Sequence, residues 1–582
     1  MQGYPPMIHR MLHRYLLAGF LVAVVGCEIE IERDGTTGKA PYDVIEATIP
    51  ELQAAMNEGR LTSRELVQQY LARIAVYENL LNATITVNRD ALAEAGRLDR
   101  ERAESGPRGP LHGIPIALKD NIHTMDMPTT GGTLAFSGLN PPYEATLTKQ
   151  LRAAGAIIIA KTVMTELANW VAGAPYDMPD NYGSLAGYAF NPYDPRRDPR
   201  PGIGDGMPVL SPGGSSSGIG TSANLWAANV GTETSGSILS PSNQTMLVGI
   251  KPTLGRVSRH GIIPITADQD TAGPMARTVT DAAILLGAIE SRQPDPEDPA
   301  TGRCQAPPDG DYTPFLDAGS LRDARIGIPR AGFVEPASVP GQGSPRGGID
   351  PAQAELFEQA IVVLRAQGAT VVDPANPPTA VDPDPDRNIF SWGVCAAEGA
   401  THGNDAHCSI VFKYGMKRDF NAWLASLGDR APLRSLTELR EWNRRNALLG
   451  TLKYEQSLLD ISDDVDLDRD RARYEADRAK DVELTSAHGI DAAIAEHDLE
   501  ALLFPGNRGA NIAARPGYPS VIVPMGLTPR EAEPAFPANF EPRPAPFGVT
   551  FTGPACSEPA LIALAYAFEQ ATRRRVAPLA AP

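Results

Sequence analysis

The chain has 582 residues, more than one hydrophobic core usually holds, which favours one large enzyme domain or several smaller domains and excludes a lone binding module. Hydrophobic residues make up 42% and charged residues 21% of the chain, proportions that exclude wholesale disorder, collagen and a membrane bundle. The net charge of -18, from 70 acidic against 52 basic residues, repels nucleic acid, which we therefore do not expect as a partner.

The first thirty residues predict an export signal. Two arginines precede an apolar run over residues 15–26 that is too short to span a bilayer. The run ends in Val-Val-Gly before Cys27 and resembles a bacterial lipobox, in which the cysteine is diacylated. We therefore predict a signal peptide over residues 1–26, a tether over 27–45, and export to the cell envelope with a lipid on Cys27 as the only membrane contact. An ordinary or uncleaved signal peptide is the alternative.

Downstream, helical and strand patterns alternate, and the fold proper begins near residue 46. Thr62 and Glu65 form a capping-box pattern, which predicts the start of an amphipathic helix. A buried strand, a helix and a second buried strand follow in chain order at residues 113–118, 147–153 and 157–159. The first of these strands ends at Lys119. Strands that alternate with helices indicate an α/β sheet.

The rest of the chain continues this pattern with long irregular connections. We predict loops over 191–214, 291–310 and 373–387, charged helices over 436–498, strands at 501–504 and 520–523, and a closing helix over 561–575.

Four cysteines lie downstream of Cys27 and would be oxidisable after export. They are Cys304, Cys395, Cys408 and Cys556, which allow three pairings. Cys395 and Cys408 flank two histidines, so a local disulfide, free buried thiols and a zinc site all remain open for this pair.

Two serine-rich segments carry the strongest chemical signal. Residues 213–218 read Gly-Gly-Ser-Ser-Ser-Gly, and residues 231–238 read Gly-Thr-Glu-Thr-Ser-Gly-Ser-Ile. Either segment alone fits a flexible Ser/Gly loop. With the lysine at the end of the upstream strand, and with residues 249–256 and 270–277, they resemble the amidase signature family of serine amidohydrolases. The resemblance covers about residues 46–580 and is closest to bacterial members of the peptide-amidase type.

The resemblance implies a single large α/β/α domain around a mixed twisted sheet over residues 46–582, with a divergent substrate side at about 300–500. It implies a Ser-Ser-Lys triad, in which Lys119 is the base, Ser215 a relay held by a cis peptide bond, and Ser237 the nucleophile. The loop whose backbone N–H groups form the oxyanion hole matches Thr234, Ser235 and Gly236. A small-molecule or peptide amide substrate is implied, with no metal, cofactor or obligate protein partner.

The residue chemistry independently supports these roles. A serine hydroxyl is a poor nucleophile until a base takes its proton, and amide hydrolysis also needs a proton donor for the leaving nitrogen. One lysine can do both if it starts neutral. Burial at the end of an apolar strand is expected to lower the pKa of Lys119, and Ser215 is placed to relay the proton from Ser237.

Two departures from the family pattern affect the site. The stretch between Lys119 and Ser215 is longer than usual, mostly through the loop at 195–209, which either shapes the pocket mouth or is a solvated insertion. The interval from Ser215 to Ser237 is slightly shorter than usual, which leaves the choice between Ser215 and Ser216 as the relay open.

Other readings of the same residues carry less weight. Lys161, Lys251, His112 and His123 are expected to be structural. An α/β-hydrolase-type esterase is a rival, because residues 214–218 satisfy the Gly-x-Ser-x-Gly elbow with Ser216 as nucleophile. A catalytically inactive, ligand-binding surface lipoprotein on the same scaffold is the non-enzymatic alternative.

Overall fold

A computed structural model describes residues 42–201, 206–532 and 534–581 of the protein. The predictions for the signal peptide, for Cys27 and for most of the tether fall outside these residues. Within them, no helix combines the length and the apolar character that crossing a bilayer requires.

The described residues contain fifteen strands, eleven of which form one sheet. In chain order they are β1 Thr84–Val87, β2 Pro115–Lys119, β3 Ile157–Thr162, β4 Tyr182–Gly183, β5 Gly187–Tyr188, β6 Ala228–Glu233, β7 Val248–Lys251, β8 Thr271–Ala276, β9 Arg325–Gly327, β10 Thr370–Val372, β11 Gly393–Val394, β12 Cys408–Ser409, β13 Ala501–Pro505, β14 Ser520–Thr528 and β15 Ala545–Thr552.

Sixteen α-helices accompany these strands in the described residues. They are α1 Ile49–Asn57, α2 Ser63–Leu81, α3 Ala91–Ser105, α4 Thr146–Ala153, α5 Ile219–Ser222, α6 Leu239–Gln244, α7 Val279–Ile289, α8 Pro351–Ala366, α9 Pro378–Val381, α10 Val411–Ser426, α11 Leu436–Arg445, α12 Ser457–Asp463, α13 Arg471–Thr485, α14 Asp491–His497, α15 Ala510–Ala514 and α16 Glu558–Thr572.

The large sheet is mixed, as predicted. Its strand order is β1-β3-β2-β6-β8-β7-β14-β15-β13-β9-β10, with β2 parallel to both β3 and β6 and β8 antiparallel to β6. Every residue of β2, β3, β6 and β8 is buried, as expected of central strands covered on both faces. This confirms the α/β fold class.

Local capping chemistry explains where the first helices begin. Thr62 caps α2, with its side chain accepting from the N–H of Glu65 and the Glu65 side chain reaching back, which confirms the predicted capping box. Helix α1 starts at an equivalent box of Thr48 and Glu51, which our sequence analysis missed. It is only nine residues long, so its apolar periodicity is weak.

The strands predicted at 113–118 and 157–159 correspond to β2 and β3, and those predicted near residues 501 and 520 correspond to β13 and β14.

The charged region at 436–498 forms separate helices rather than one run. Helices α10, α11 and α12 contribute to a second apolar cluster, which includes Phe420, Leu436 and Leu459 and lies apart from the core around the sheet. The divergent part of the chain shares this cluster with earlier segments, which contribute Trp170 and Ile263.

The described part of the loop at 195–209 packs on another loop. The Arg196 guanidinium lies 4.2 Å from the Phe540 ring centroid, and that of Arg200 lies 4.5 Å from the Phe536 ring centroid. Val209 is fully buried. The loop is therefore docked against the segment before β15 by cation–π and apolar contacts, and not solvated.

All four downstream cysteines are paired. Cys304 is bonded to Cys556, with Cα atoms 5.4 Å apart, and Cys395 to Cys408, with Cα atoms 5.1 Å apart. The second bond uses the thiols on which a zinc site would depend. Within the described chain, no group of three His, Cys, Asp or Glu side chains is arranged to hold a metal ion.

Candidate active site

The candidate site lies where the parallel strands β2, β3 and β6 end. Lys119 is the last residue of β2 and is fully buried. Its Nζ donates to the carbonyl oxygen of Thr232 at 3.0 Å and to Thr232 Oγ1 at 2.8 Å. Because the carboxyl ends of parallel strands share one edge, this edge is where the segments after β3 and β6 converge.

Burial dominates the electrostatics of the lysine. Desolvation lowers the pKa of Lys119 from 10.5 to about 7, and the negative charges of Asp270 and Glu233 oppose that shift. The direction agrees with the expectation from the apolar strand. At neutral pH, a large fraction of Lys119 is therefore a free amine that can accept a proton.

The Ser215 loop packs against the start of α6. Gly213 has φ +89, and a Cβ there would lie 2.6 Å from Pro241 Cα, so only glycine fits. The N–H of Gly214 donates to Ser240 Oγ at 3.2 Å, and the N–H of Ser215 donates to Thr165 Oγ1 at 3.0 Å. These contacts place Ser215 between the segment after β3 and the helix that follows Ser237.

The Ser215 hydroxyl has an unusual environment. It is fully buried, and within the described residues its Oγ has no hydrogen-bond partner. An unsatisfied buried hydroxyl costs about 1–3 kcal/mol, so it is retained only where the rest of the structure compensates.

The cis peptide bond expected at Ser215 is absent. Among the described residues, the cis bonds precede Pro175 and Pro374 only. The loop instead turns through left-handed backbone at two successive residues, Ser215 with φ 80 and Ser216 with φ 57. This left-handed pair reverses the chain between trans peptide bonds, and it stores strain of order 1–2 kcal/mol per residue.

The structure rules against Ser216 as the nucleophile of an α/β-hydrolase. That elbow requires a strand leading directly into the serine and a helix leaving it, but residues 211–218 form turns with no strand before them. Ser216 is buried, and its Oγ donates to the carbonyl oxygen of Asp180 at 3.3 Å.

Ser237 lies in the short connection between β6 and α6 and is half-buried. Glu233 shapes this connection, because its Oε2 accepts the N–H groups of Ile238 at 2.8 Å and Leu239 at 3.0 Å. Gly236 has φ +98, a conformation that favours glycine.

The predicted oxyanion loop, residues 234–236, has free backbone donors. Across the described chain, no acceptor is bonded to the N–H groups of Ser235, Gly236 or Ser237. Ser235 is exposed, whereas Thr234 is buried and donates through Oγ1 to Asp270 Oδ1 at 2.5 Å. The arrangement offers several N–H groups to a developing negative charge beside a half-buried hydroxyl.

A cavity of about 360 Å³ opens beside this loop. Its lining combines apolar and aromatic residues, such as Ile263 and Trp423, with charged residues, such as Arg259 and Asp419, and it includes Thr234 of the loop. Such a cavity suits a small amide or the end of a peptide.

The other two candidate lysines are held by structural contacts. Lys161 Nζ lies 3.2 Å from Asp120 Oδ1 and donates to Thr129 Oγ1 at 2.9 Å, which makes a buried ion pair. Lys251 Nζ donates to the carbonyl oxygen of Tyr518. Neither donates to a serine hydroxyl.

The two candidate histidines are also buried in packed surroundings. Trp423 Nε1 donates to His123 Nε2 at 2.9 Å, and desolvation lowers the pKa of His123 to about 3, so this ring is neutral. His112 Nε2 lies 2.9 Å from the carbonyl oxygen of Leu98. Both contacts agree with the structural role expected for these residues.

Our sequence analysis missed several residues that shape the site. Thr232 is the direct partner of Lys119, Asn121 donates to Thr232 Oγ1 at 3.0 Å, and Asp270 fixes Thr234. Thr232 and Asp270 lie inside the segments that carry the family resemblance, which is the signal that pointed to them. Asn121, two residues after Lys119, lies in the lysine-strand segment at residues 111–122, which carries the same resemblance.

Comparisons with known proteins agree that the chain is similar to amidases. The family model for amidases matches residues 65–562. The chain is 36% identical to the native peptide amidase from Stenotrophomonas maltophilia, covering 92% of this chain and 99% of that one with a TM-score of 0.74. An amidase family protein from Bacillus anthracis str. Ames is 29% identical with a TM-score of 0.73, and 92% of each chain is covered. A protein of Arabidopsis thaliana described as a probable amidase is 33% identical over 572 residues, covering 97% of this chain and 96% of its own.

Proposed function

Because the chain belongs to the amidase family and hydrolyses a carbon–nitrogen amide bond, we propose a mechanism for that reaction. In it, Ser237 forms an acyl-enzyme, and Ser215 and Lys119 form the proton relay. The observation that carries the proposal is that a buried lysine of lowered pKa lies at the same strand edge as a buried serine hydroxyl, Ser215 Oγ, that has no hydrogen-bond partner within the described residues. A base must be neutral to accept a proton, and a relay needs a hydroxyl that is free to exchange one, so Lys119 suits the first role and Ser215 the second.

In the proposed reaction, Ser237 Oγ attacks the amide carbonyl carbon while its proton passes to Ser215 Oγ and the Ser215 proton passes to Lys119 Nζ. The N–H groups around Gly236 bind the resulting oxyanion. The carbon–nitrogen bond then breaks, and the proton held by Lys119 returns through Ser215 to the leaving nitrogen. Water hydrolyses the acyl-enzyme by the same relay in reverse.

This relay requires Lys119 Nζ to bond to Ser215 Oγ, whereas in the structure Nζ bonds to Thr232. Both groups lie at the same strand edge, and a lysine side chain has several rotatable bonds. We infer that substrate binding brings the two together, since hydrogen bonds of a catalytic site often tighten only in the complex.

For the substrate, we propose a peptide amide or another small neutral amide. The support is the similarity to a peptide amidase and the partly apolar cavity beside the oxyanion loop. For location, we propose export and a lipid anchor on Cys27. The support is the lipobox-like sequence, together with two disulfides, which persist in oxidising compartments.

The test is covalent labelling of the purified full chain with a fluorophosphonate probe, followed by hydrolysis assays on C-terminal peptide amides, aryl acylamides, fatty amides and esters. We expect one label per chain and turnover of at least one amide, with both lost in Ser237→Ala. Ser137→Ala, which changes an exposed serine away from the site, is the matched control. Labelling or turnover that survives Ser237→Ala contradicts the proposed nucleophile, and an unlabelled, inactive parent supports the inactive-scaffold alternative.

A further inference from the structure

Asp270 lies one residue before β8, beside the oxyanion loop. Strand β8 pairs with β6 so that Thr271 lies opposite Glu233, which brings Asp270 next to Thr234. Its Oδ1 accepts from Thr234 Oγ1 at 2.5 Å, and its Oδ2 accepts the N–H groups of Ile265 and Thr266, each at 2.9 Å. One carboxylate therefore joins the oxyanion loop to a wall of the 360 Å³ cavity.

We propose that Asp270 is a positioning residue of the amidase reaction, which fixes the oxyanion loop through Thr234 and sets, through its charge, the pH range in which Lys119 is a base. The inference rests on the proposed roles of Lys119 and Ser237. It adds a residue that makes no contact with the reacting atoms and acts through groups that do.

The positioning part follows from the contacts of the loop. Ser235 is exposed, whereas Thr234 and Gly236 are buried, and the Gly236 carbonyl oxygen accepts the N–H of Ser240 at 2.7 Å. On the side of Thr234, the loop is held by Asp270 and by Gln269, whose Nε2 donates to the Thr234 carbonyl oxygen at 3.1 Å. Without the Asp270 contact, the N–H groups would lose part of the preorganisation on which oxyanion stabilisation depends.

The charge part follows from the groups around the carboxylate. The charge of Asp270 acts on Lys119, whose Nζ is bonded to Thr232, two residues before Thr234. Asp419 and Arg259 act on Asp270 itself, and Arg259 is paired with Asp298. Burial raises the pKa of Asp270 to about 7, opposed by its hydrogen bonds and by Arg259. When ionised, Asp270 favours the protonated form of Lys119 and so opposes its action as a base.

Two groups that interact and titrate in the same range lose their protons in coupled steps. We therefore expect the rising limb of kcat/KM against pH to be broad in the parent. With Asp270→Asn the negative charge is gone and the pKa of Lys119 falls, so the limb should steepen and move to lower pH by about one unit. The oxygen of the new amide can accept from Thr234, but its nitrogen then takes the place of the acceptor of the Ile265 and Thr266 N–H groups, so kcat is also expected to fall.

The experiment measures kcat/KM from pH 5.5 to 9.5 for the parent and four variants on one amide substrate. Asp270→Asn should move the limb. Asp270→Glu keeps the charge but displaces the carboxylate, so the limb should stay while kcat falls about 10-fold or more. Thr234→Val removes the contact and should also lower kcat. Asp268→Asn, a nearby acid paired with Arg418, is the matched control and should leave the limb in place.

If the rising limb of kcat/KM against pH is the same for Asp270→Asn as for the parent, the charge role is overturned. A Thr234→Val variant with parental kcat overturns the positioning role. If Asp270→Asn does not fold, Asp270→Glu carries the charge test, because a limb that moves in spite of the retained charge contradicts the inference. Failure of the underlying function is seen separately, as turnover that survives Ser237→Ala.

Discussion

Replacing Lys119 by methionine is expected to abolish amide hydrolysis and yet to stabilise the protein at neutral and acidic pH. The lysine is fully buried and its pKa is lowered from 10.5 to about 7 by desolvation, so the fold opposes its charged form. At 1.36 kcal/mol per pKa unit, this shift corresponds to about 5 kcal/mol of destabilisation below pH 7. Methionine fills a similar volume without a charge.

The direction follows from proton linkage. Between pH 7 and 10.5 the unfolded chain binds one more proton at Lys119 than the folded chain does, so the stability of the parent rises with pH across this window. Thr232 loses a donor in the variant, which costs about 1 kcal/mol, although Asn121 still donates to its hydroxyl. The net gain for Lys119→Met is therefore about 4 kcal/mol at pH 6, and it should vanish near pH 10.

Urea unfolding of the parent and Lys119→Met at pH 6, 8 and 10, with the disulfides intact, measures this difference. Lys161→Met is the matched control, because removing that buried lysine leaves Asp120 without its ion-pair partner and should destabilise the protein. A Lys119→Met midpoint equal to or below that of the parent at pH 6, or a gain that does not change with pH, would refute the reasoning. Amide turnover by this variant within a few-fold of the parent would separately remove Lys119 as the base.

Two further predictions concern the relay and the N-terminus. Ser215→Ala should lower kcat/KM by orders of magnitude with little loss of stability, and Ser216→Ala should lower it far less. The reason is that the Ser215 hydroxyl has no hydrogen-bond partner within the described residues, whereas the Ser216 hydroxyl is bonded to Asp180. The opposite ranking in steady-state kinetics would move the relay by one residue. Cys27→Ser should release the protein from the membrane fraction or leave it unprocessed, since attachment of the lipid requires the thiol and durable anchoring requires more than one acyl chain. Mass spectrometry together with fractionation tests this, and an unchanged mass and distribution would contradict the lipid.

The parts of the fold that the sequence predicted are those governed by local rules. The capping box at Thr62 fixes the start of α2, and the uninterrupted apolar run before Lys119 gives β2. The parts it missed depend on contacts between distant segments. The loop at 195–209 looks solvated by composition, but it docks on aromatic residues more than three hundred positions away.

The candidate site shows the same division. The types of residue and their order along the chain pointed to Lys119, Ser215 and Ser237 through the family resemblance. The close fit of Gly213 against Pro241 is a contact between different elements, and no local pattern encodes it or the left-handed backbone at Ser215.

Several local conflicts meet at the strand edge that carries the candidate site, and their meeting there is itself an argument for the site. Lys119 is a buried amine, Ser215 has an unsatisfied hydroxyl and left-handed backbone, and residues 167–169 after β3 have three successive positive φ values. Each of these features costs stability. The stabilising effect expected of Lys119→Met expresses the same point quantitatively, because a residue whose removal strengthens the fold is better explained by the chemistry it performs than by its packing.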